Sequence, residues 1–162
     1  MIKLVRTYKW ALLFSICLSI SIYTYIHYSY DSNIFLASIG GLATLYLGLI
    51  RYQLEYDRLF QELFTAFNTR YDKLNDDILD IRKRSESLKE RDTKIIIDYF
   101  NLCAEEYLWY SRGRIPKSVW KAWKSGIDEN LNTPIIKDLF ILETKSINSA
   151  SSYYGLRKEL NI

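Results

Sequence analysis

The sequence predicts an all-α protein: an N-terminal two-helix transmembrane hairpin followed by a cytoplasmic α-helical domain with a long stalk-like first helix. Three observations predict it. Residues 10–50 carry one formal charge, Asp31. Beyond Arg51 the apolar residues recur at steps of three and four. No segment shows strand alternation or an Asn-Gly-type hairpin turn.

Residues 1–9 form a basic N-terminus, expected on the cytoplasmic side, with Lys3, Arg6 and Lys9. The first span, residues 10–30, has 21 residues without a formal charge, roughly 31 Å of helix against a bilayer core of about 30 Å. Trp10 stands at one end, and Tyr23, Tyr25, Tyr28 and Tyr30 crowd the other, as suits rings that favour the headgroup layer. The flank Tyr28-Ser29-Tyr30-Asp31 lacks the small-residue pattern of a signal-peptide cleavage site, and a second apolar run follows at once, so an anchor is favoured over a leader. Only Asp31-Ser32-Asn33 separate the two runs, enough for a tight turn. The second span, residues 34–50, is 17 residues long, short enough that bilayer thinning or helical extension past Arg51 is expected. Basic residues flank both outer ends and none lies in the turn, which places both termini in the cytoplasm.

Small residues recur within the spans: Ser15 and Ser19, and Cys17 and Ser21, in the first; Ala37 and Gly41, and Gly40, Thr44 and Gly48, in the second. Such spacing lets helix backbones approach closely, and in lipid packing drives association. These faces either close the hairpin within one chain or join copies into a homo-oligomer. Neither span holds an ionisable residue at mid-depth, which argues against a proton- or ion-transport site.

Residues 51–162 form the predicted cytoplasmic domain. Tyr56, Phe60, Leu63, Phe67, Tyr71, Leu74, Ile78 and Ile81 make a helical seam with one extra step of four, and no Gly or Pro interrupts residues 49–112. The second span is therefore expected to run on as a stalk whose seam packs on its own domain in preference to a partner chain. Residues 82–94 hold six basic and three acidic residues and one aliphatic, Leu88, and read as a solvated helix end and connector. A helix is expected over Thr93–Arg112 with Gly113 just past its end, another from Pro116 to Gly126, and a third from Thr133-Pro134 to about Ser146. The polar tail from Asn148 suggests a last short helix.

Composition narrows the chemistry. Half the residues are hydrophobic (49%) although mean hydropathy is −0.13, the mark of apolar residues gathered into one region. Of 22 basic residues three precede residue 10, and of 19 acidic residues one is Asp31, so residues 51–162 are nearly neutral and do not look like a basic nucleic-acid-binding domain. Cys17 and Cys103 show no paired spacing, and His27 is the single histidine; neither a disulfide framework nor a metal or His-based catalytic centre is indicated. No enzyme activity, cofactor or small-molecule substrate is expected.

The most distinctive stretch is Asp98–Tyr110, where Glu105 and Glu106 sit among aromatic and aliphatic side chains. Adjacent helical residues are about 100° apart, so one carboxylate is expected to turn toward the aromatic face and to need a cation from Arg112, Arg114, Lys117 or Lys121. A tie to the helix carrying Trp120 and Trp123 is the favoured structural role, and Cys103 is read as a small core residue.

Phe67-Asn68-Thr69-Arg70-Tyr71-Asp72-Lys73-Leu74-Asn75, the Asp98–Tyr110 segment with Cys103, Glu105, Glu106 and Tyr107, Gly113-Arg114-Ile115, and Val119–Ile127 with Trp120 and Trp123 resemble a pattern in small bacterial membrane proteins with a cytoplasmic helical domain. Some of those are similar to the two-span membrane effectors of retron-type and other abortive-infection anti-phage systems. The resemblance supplies no catalytic residue. It implies an inner-membrane antiviral defence effector, held by a cytoplasmic protein or ribonucleoprotein partner until infection, whose hairpin then assembles and disrupts the bilayer. The alternative is a membrane-tethered scaffold whose helical domain docks a protein.

Overall fold

The computed structural model describes residues 2–28, 31–84, 87–145 and 149–162. Tyr30 at the end of the first predicted span, residues 85–86 of the predicted connector, and Ser146 and Asn148 lie outside the described residues. Among those described there are seven α-helices and no strand: α1 (Ile2–Tyr28), α2 (Ser32–Arg84), α3 (Glu90–Ser111), α4 (Lys117–Leu131), α5 (Pro134–Glu143), α6 (Ser149–Ser152) and α7 (Leu156–Leu160). The chain divides into two compact units, Met1–Arg58 and Leu59–Ile162.

In the first unit, Asp31 starts α2. Its carboxylate accepts from the Asn33 N–H at 2.7 Å and its carbonyl from the Phe35 N–H at 3.1 Å, which makes it an N-cap. The second helix thus begins at Ser32, not at Ile34. It continues unbroken through Arg51 to Arg84, 53 residues, as the absence of Gly and Pro from residues 49–112 predicts. Both N-terminal helices are long and apolar enough to cross a membrane, and none of their apolar windows is buried.

In the second unit, the seam of α2 packs within its own domain. Phe67, Ile78 and Ile81 are buried, and Phe60, Leu63, Tyr71 and Leu74 pack against the same core. That core is completed by Ile96, Tyr99, Phe100 and Leu102 of α3, Trp120, Ile127 and Leu131 of α4, and Ile136 and Phe140 of α5. Phe100 meets Phe140 edge-on at 5.0 Å.

Helix ends follow local chemistry. α3 begins at Glu90, three residues before the expected Thr93, because the Asp92 carboxylate reaches back to the Lys89 N–H at 3.2 Å and satisfies an early donor. Gly113 takes a left-handed φ of 69°. There its N–H bonds the Tyr110 carbonyl at 2.8 Å and the Arg114 N–H bonds the Trp109 carbonyl at 2.9 Å, the paired bonds of a Schellman end. Pro116 is the N-cap of α4, one position before the first turn. Thr133 and Pro134 start α5 as expected, and that helix stops at Glu143.

Gly126 does not end α4; the helix runs on to Leu131. A glycine inside a helix costs about 1 kcal/mol relative to alanine, and burial of Ile127 and Leu131 outweighs that, since a fully buried aliphatic side chain contributes roughly 1.5–3 kcal/mol. The tail is also less peripheral than its polar composition suggests. Tyr153, Leu156 and Leu160 are buried, and α7 contacts α3.

Candidate functional site

Two surfaces gather the residues singled out in the sequence, one in each unit.

In the hairpin, α1 and α2 close on aromatic rings. Phe14 stacks on Tyr46 at 4.7 Å and Tyr25 on Phe35 at 4.3 Å, and the Tyr25 hydroxyl lies 3.2 Å from that of Ser32. Half-buried positions trace the closing faces: Phe14, Cys17, Ser21 and Tyr25 on α1, and Phe35, Ile39, Leu42 and Tyr46 on α2. Of the small-residue pairs, only Cys17 and Ser21 belong to this contact. Ser15 and Ser19 point out, and so do Ala37, Gly40, Gly41, Thr44 and Gly48. A Cβ built on Gly40, Gly41 or Gly48 would meet nothing within 4 Å.

Six aliphatic hydroxyls on these helices are satisfied within the helix that carries them. Ser15, Ser19, Ser21, Ser38 and Thr44 bond the carbonyl four residues back, and Thr24 the one three back, at 2.8–3.0 Å. These six donors are therefore paired within the backbone, the condition for a hydroxyl to meet hydrocarbon.

In the helical domain, Phe67, Asn68, Tyr71, Leu74 and Asn75 lie on the inward half of α2, with Phe67 buried and the other four half-buried. α3 brings Cys103 and Glu106 into the interior, at 1% and 6% exposure, and sends Glu105 outward. The sequence asks for a cation from Arg112, Arg114, Lys117 or Lys121; the structure supplies Arg70 of α2 instead, and to Glu105. Both Arg70 amino groups bond that carboxylate, at 2.5 and 3.0 Å. Both partners are more than two-fifths exposed, so the pair contributes at most about 1 kcal/mol. Glu105 in turn holds the Arg70 guanidinium above its ordinary value.

Glu106 makes no side-chain hydrogen bond among the described residues. It lines a cavity of about 200 Å³ shared with Asn68 and Tyr71 of α2, Tyr99 of α3, and Trp123, Gly126 and Ile127 of α4. Burial pushes its carboxyl up from the ordinary 4.5 to about 8; nearby Arg70 pulls it down by less than burial raises it, and Glu105 adds a smaller upward push. Beneath the cavity wall a polar network is fully satisfied. The Asn130 amide donates to the Tyr99 hydroxyl at 2.9 Å and accepts from Arg82 at 3.1 Å. Burial raises the Tyr99 hydroxyl and the Cys103 thiol well above their ordinary values. Trp123 is fixed by Phe64 and Phe67, at 5.9 and 5.8 Å.

Tyr107 and Trp120 lie apart from that cavity. Trp120 stacks on Tyr110 at 5.1 Å, approaches Tyr107 at 5.5 Å, and donates its indole N–H to Glu159 at 3.1 Å, a structural tie to the tail. Arg70 and Tyr99 are two site residues that the sequence alone does not single out. Their contacts span 35 and 31 residues, beyond the reach of local spacing. No protein family, curated protein or solved structure matches the chain.

Proposed function

We propose that this chain is a non-enzymatic bacterial inner-membrane effector of phage defence. Its hairpin spans the bilayer with both termini in the cytoplasm. When a cytoplasmic protein or ribonucleoprotein partner releases the helical domain, hairpins assemble and breach the membrane. The observation that carries this reading is the open small-residue face of α2. Because α1 and α2 close on Phe14, Tyr25, Phe35 and Tyr46, Ala37, Gly40, Gly41, Thr44 and Gly48 remain available to a second hairpin. In lipid, where hydrocarbon competes with every apolar side chain, close backbone approach at such positions is what favours association. Exposed apolar side chains on both helices, Leu12, Ile16 and Ile20 on one and Leu36, Leu45 and Leu47 on the other, support a lipid environment, since a water-facing surface of that extent is a liability.

The test is induction without any partner, followed by a membrane-potential dye. The wild-type chain depolarises cells, whereas Gly41→Leu with Gly48→Leu inserts normally and leaves the potential intact. Full polarisation and normal growth with abundant wild-type protein would sink the reading. The scaffold alternative is separated by exchanging residues 1–50 for an unrelated two-span anchor: a scaffold keeps its activity and a hairpin effector loses it.

A further inference from the structure

Among the described residues two carboxyl groups are buried in the helical domain, and they are treated differently. Asp92 is matched, accepting from the Lys89 N–H at 3.2 Å and from Arg84 at 3.1 Å. Glu106 is not. It is 6% exposed, lacks a hydrogen bond among the described residues, and borders the 200 Å³ cavity. Its oxygens are not sealed off, because no buried side-chain oxygen in the described structure is left both enclosed and unpaired. Burying a polar group without a partner is costly, and here the carboxyl opens on a space walled by Tyr71, Tyr99 and Trp123.

We propose that this cavity binds a small organic ammonium ion, held against the Tyr71, Tyr99 and Trp123 rings with the Glu106 carboxylate as its counter-ion. Aromatic faces carry negative electrostatic potential and attract ammonium groups, most strongly where water is excluded. Glu106 is the one formally charged type of side chain lining the space. From α2, Arg70 is already engaged by both arms with Glu105, and Tyr71 lines the cavity. From α3 the facing titratable groups are Tyr99, Cys103 and Glu105. The α4 wall, Ala122, Trp123, Gly126 and Ile127, carries no charge. One carboxylate cannot assemble the several oxygens a hard metal ion requires, and a volume below the ~300 Å³ of drug-sized pockets limits the occupant to a metabolite-sized molecule. At neutral pH the Glu106 carboxyl is largely protonated, so the ammonium ion enters as the carboxyl proton leaves to solvent, and binding strengthens with pH. The site does not depend on the membrane reading.

The experiment uses the full chain in a maltoside detergent, titrated calorimetrically with choline and with its neutral isostere 3,3-dimethyl-1-butanol at pH 6 and pH 9. Choline is expected to bind at pH 9, release a proton, and weaken by roughly tenfold or more at pH 6 and in Glu106→Gln, while the neutral alcohol ignores both changes. Gly126→Leu, which adds a bulky side chain to the cavity lining where a Cβ has open space, should block both compounds. Absence of choline binding at millimolar concentration at pH 9 overturns the proposal. So does choline binding that matches the alcohol's or is indifferent to Glu106→Gln.

Discussion

Replacing Glu106 by glutamine should stabilise the helical domain, and by an amount that depends on pH. In the folded protein burial holds the carboxyl proton up to about pH 8, while an unfolded glutamate releases it near 4.5. Between those values the folded state binds more protons than the unfolded one, so stability falls as pH rises and levels off above pH 8. At 1.36 kcal/mol per pH unit, the penalty in the wild-type chain is about 3 kcal/mol at pH 7 and about 5 kcal/mol above pH 8, against none below pH 4. Glutamine keeps the shape of the neutral acid and has no proton to lose. Guanidinium denaturation of the full chain in detergent, followed by tryptophan fluorescence, measures the difference, because Trp109, Trp120 and Trp123 all lie in the helical domain. The two unfolding midpoints should coincide at pH 4 and diverge steadily to pH 8, with the variant the more stable. Curves that stay parallel from pH 5 to pH 9 would show that Glu106 is ionised in the folded state and would refute the reasoning.

Three further outcomes are expected of the helical domain. A double-mutant cycle on Arg70→Ala and Glu105→Gln should give a coupling energy of at most about 1 kcal/mol, as expected for a half-exposed pair; because Arg70 lowers the Glu106 carboxyl, Arg70→Ala alone should move the pH-dependent fall in stability to higher pH. Phe100→Ala removes a ring that is 2% exposed and edge-on to Phe140, and should cost about 3–5 kcal/mol by denaturation midpoint.

What could be read directly from the sequence was whatever depends on neighbours along one helix. The apolar runs gave α1 and the first part of α2, the 3–4 spacing from Phe60 to Ile81 gave the inward face of α2, and Gly113 and Thr133-Pro134 marked helix boundaries. Where tertiary packing overrides local preference, the sequence misled. Gly126 reads as a stop, yet Ile127 and Leu131 carry the helix past it because both reach the core. The tail reads as polar, but Leu156 and Leu160, four apart, were enough to dock it. At the site, the Glu105–Glu106 pair stood out as a split between solvent and interior. Its partner did not, since Arg70 arrives from another helix 35 residues earlier. Nor did the cavity, which three helices enclose jointly. The small-residue rows showed a capacity for close packing, but only the aromatic closure of the hairpin shows which rows their own chain leaves open.

The position of Cys103 gives the helical domain a built-in recorder of its own breathing. The thiol is 1% exposed, and burial raises it far above the range in which a thiolate forms. A thiol reagent can therefore reach it only during an opening of the α3 region, and the labelling rate measures how often that opening occurs. Cys103 neighbours Tyr99 and Glu106, and both of those residues line the cavity. An occupant that holds those walls together would slow the reaction without touching the sulfur, so occupancy could be followed as protection at a residue that is not itself part of the binding surface.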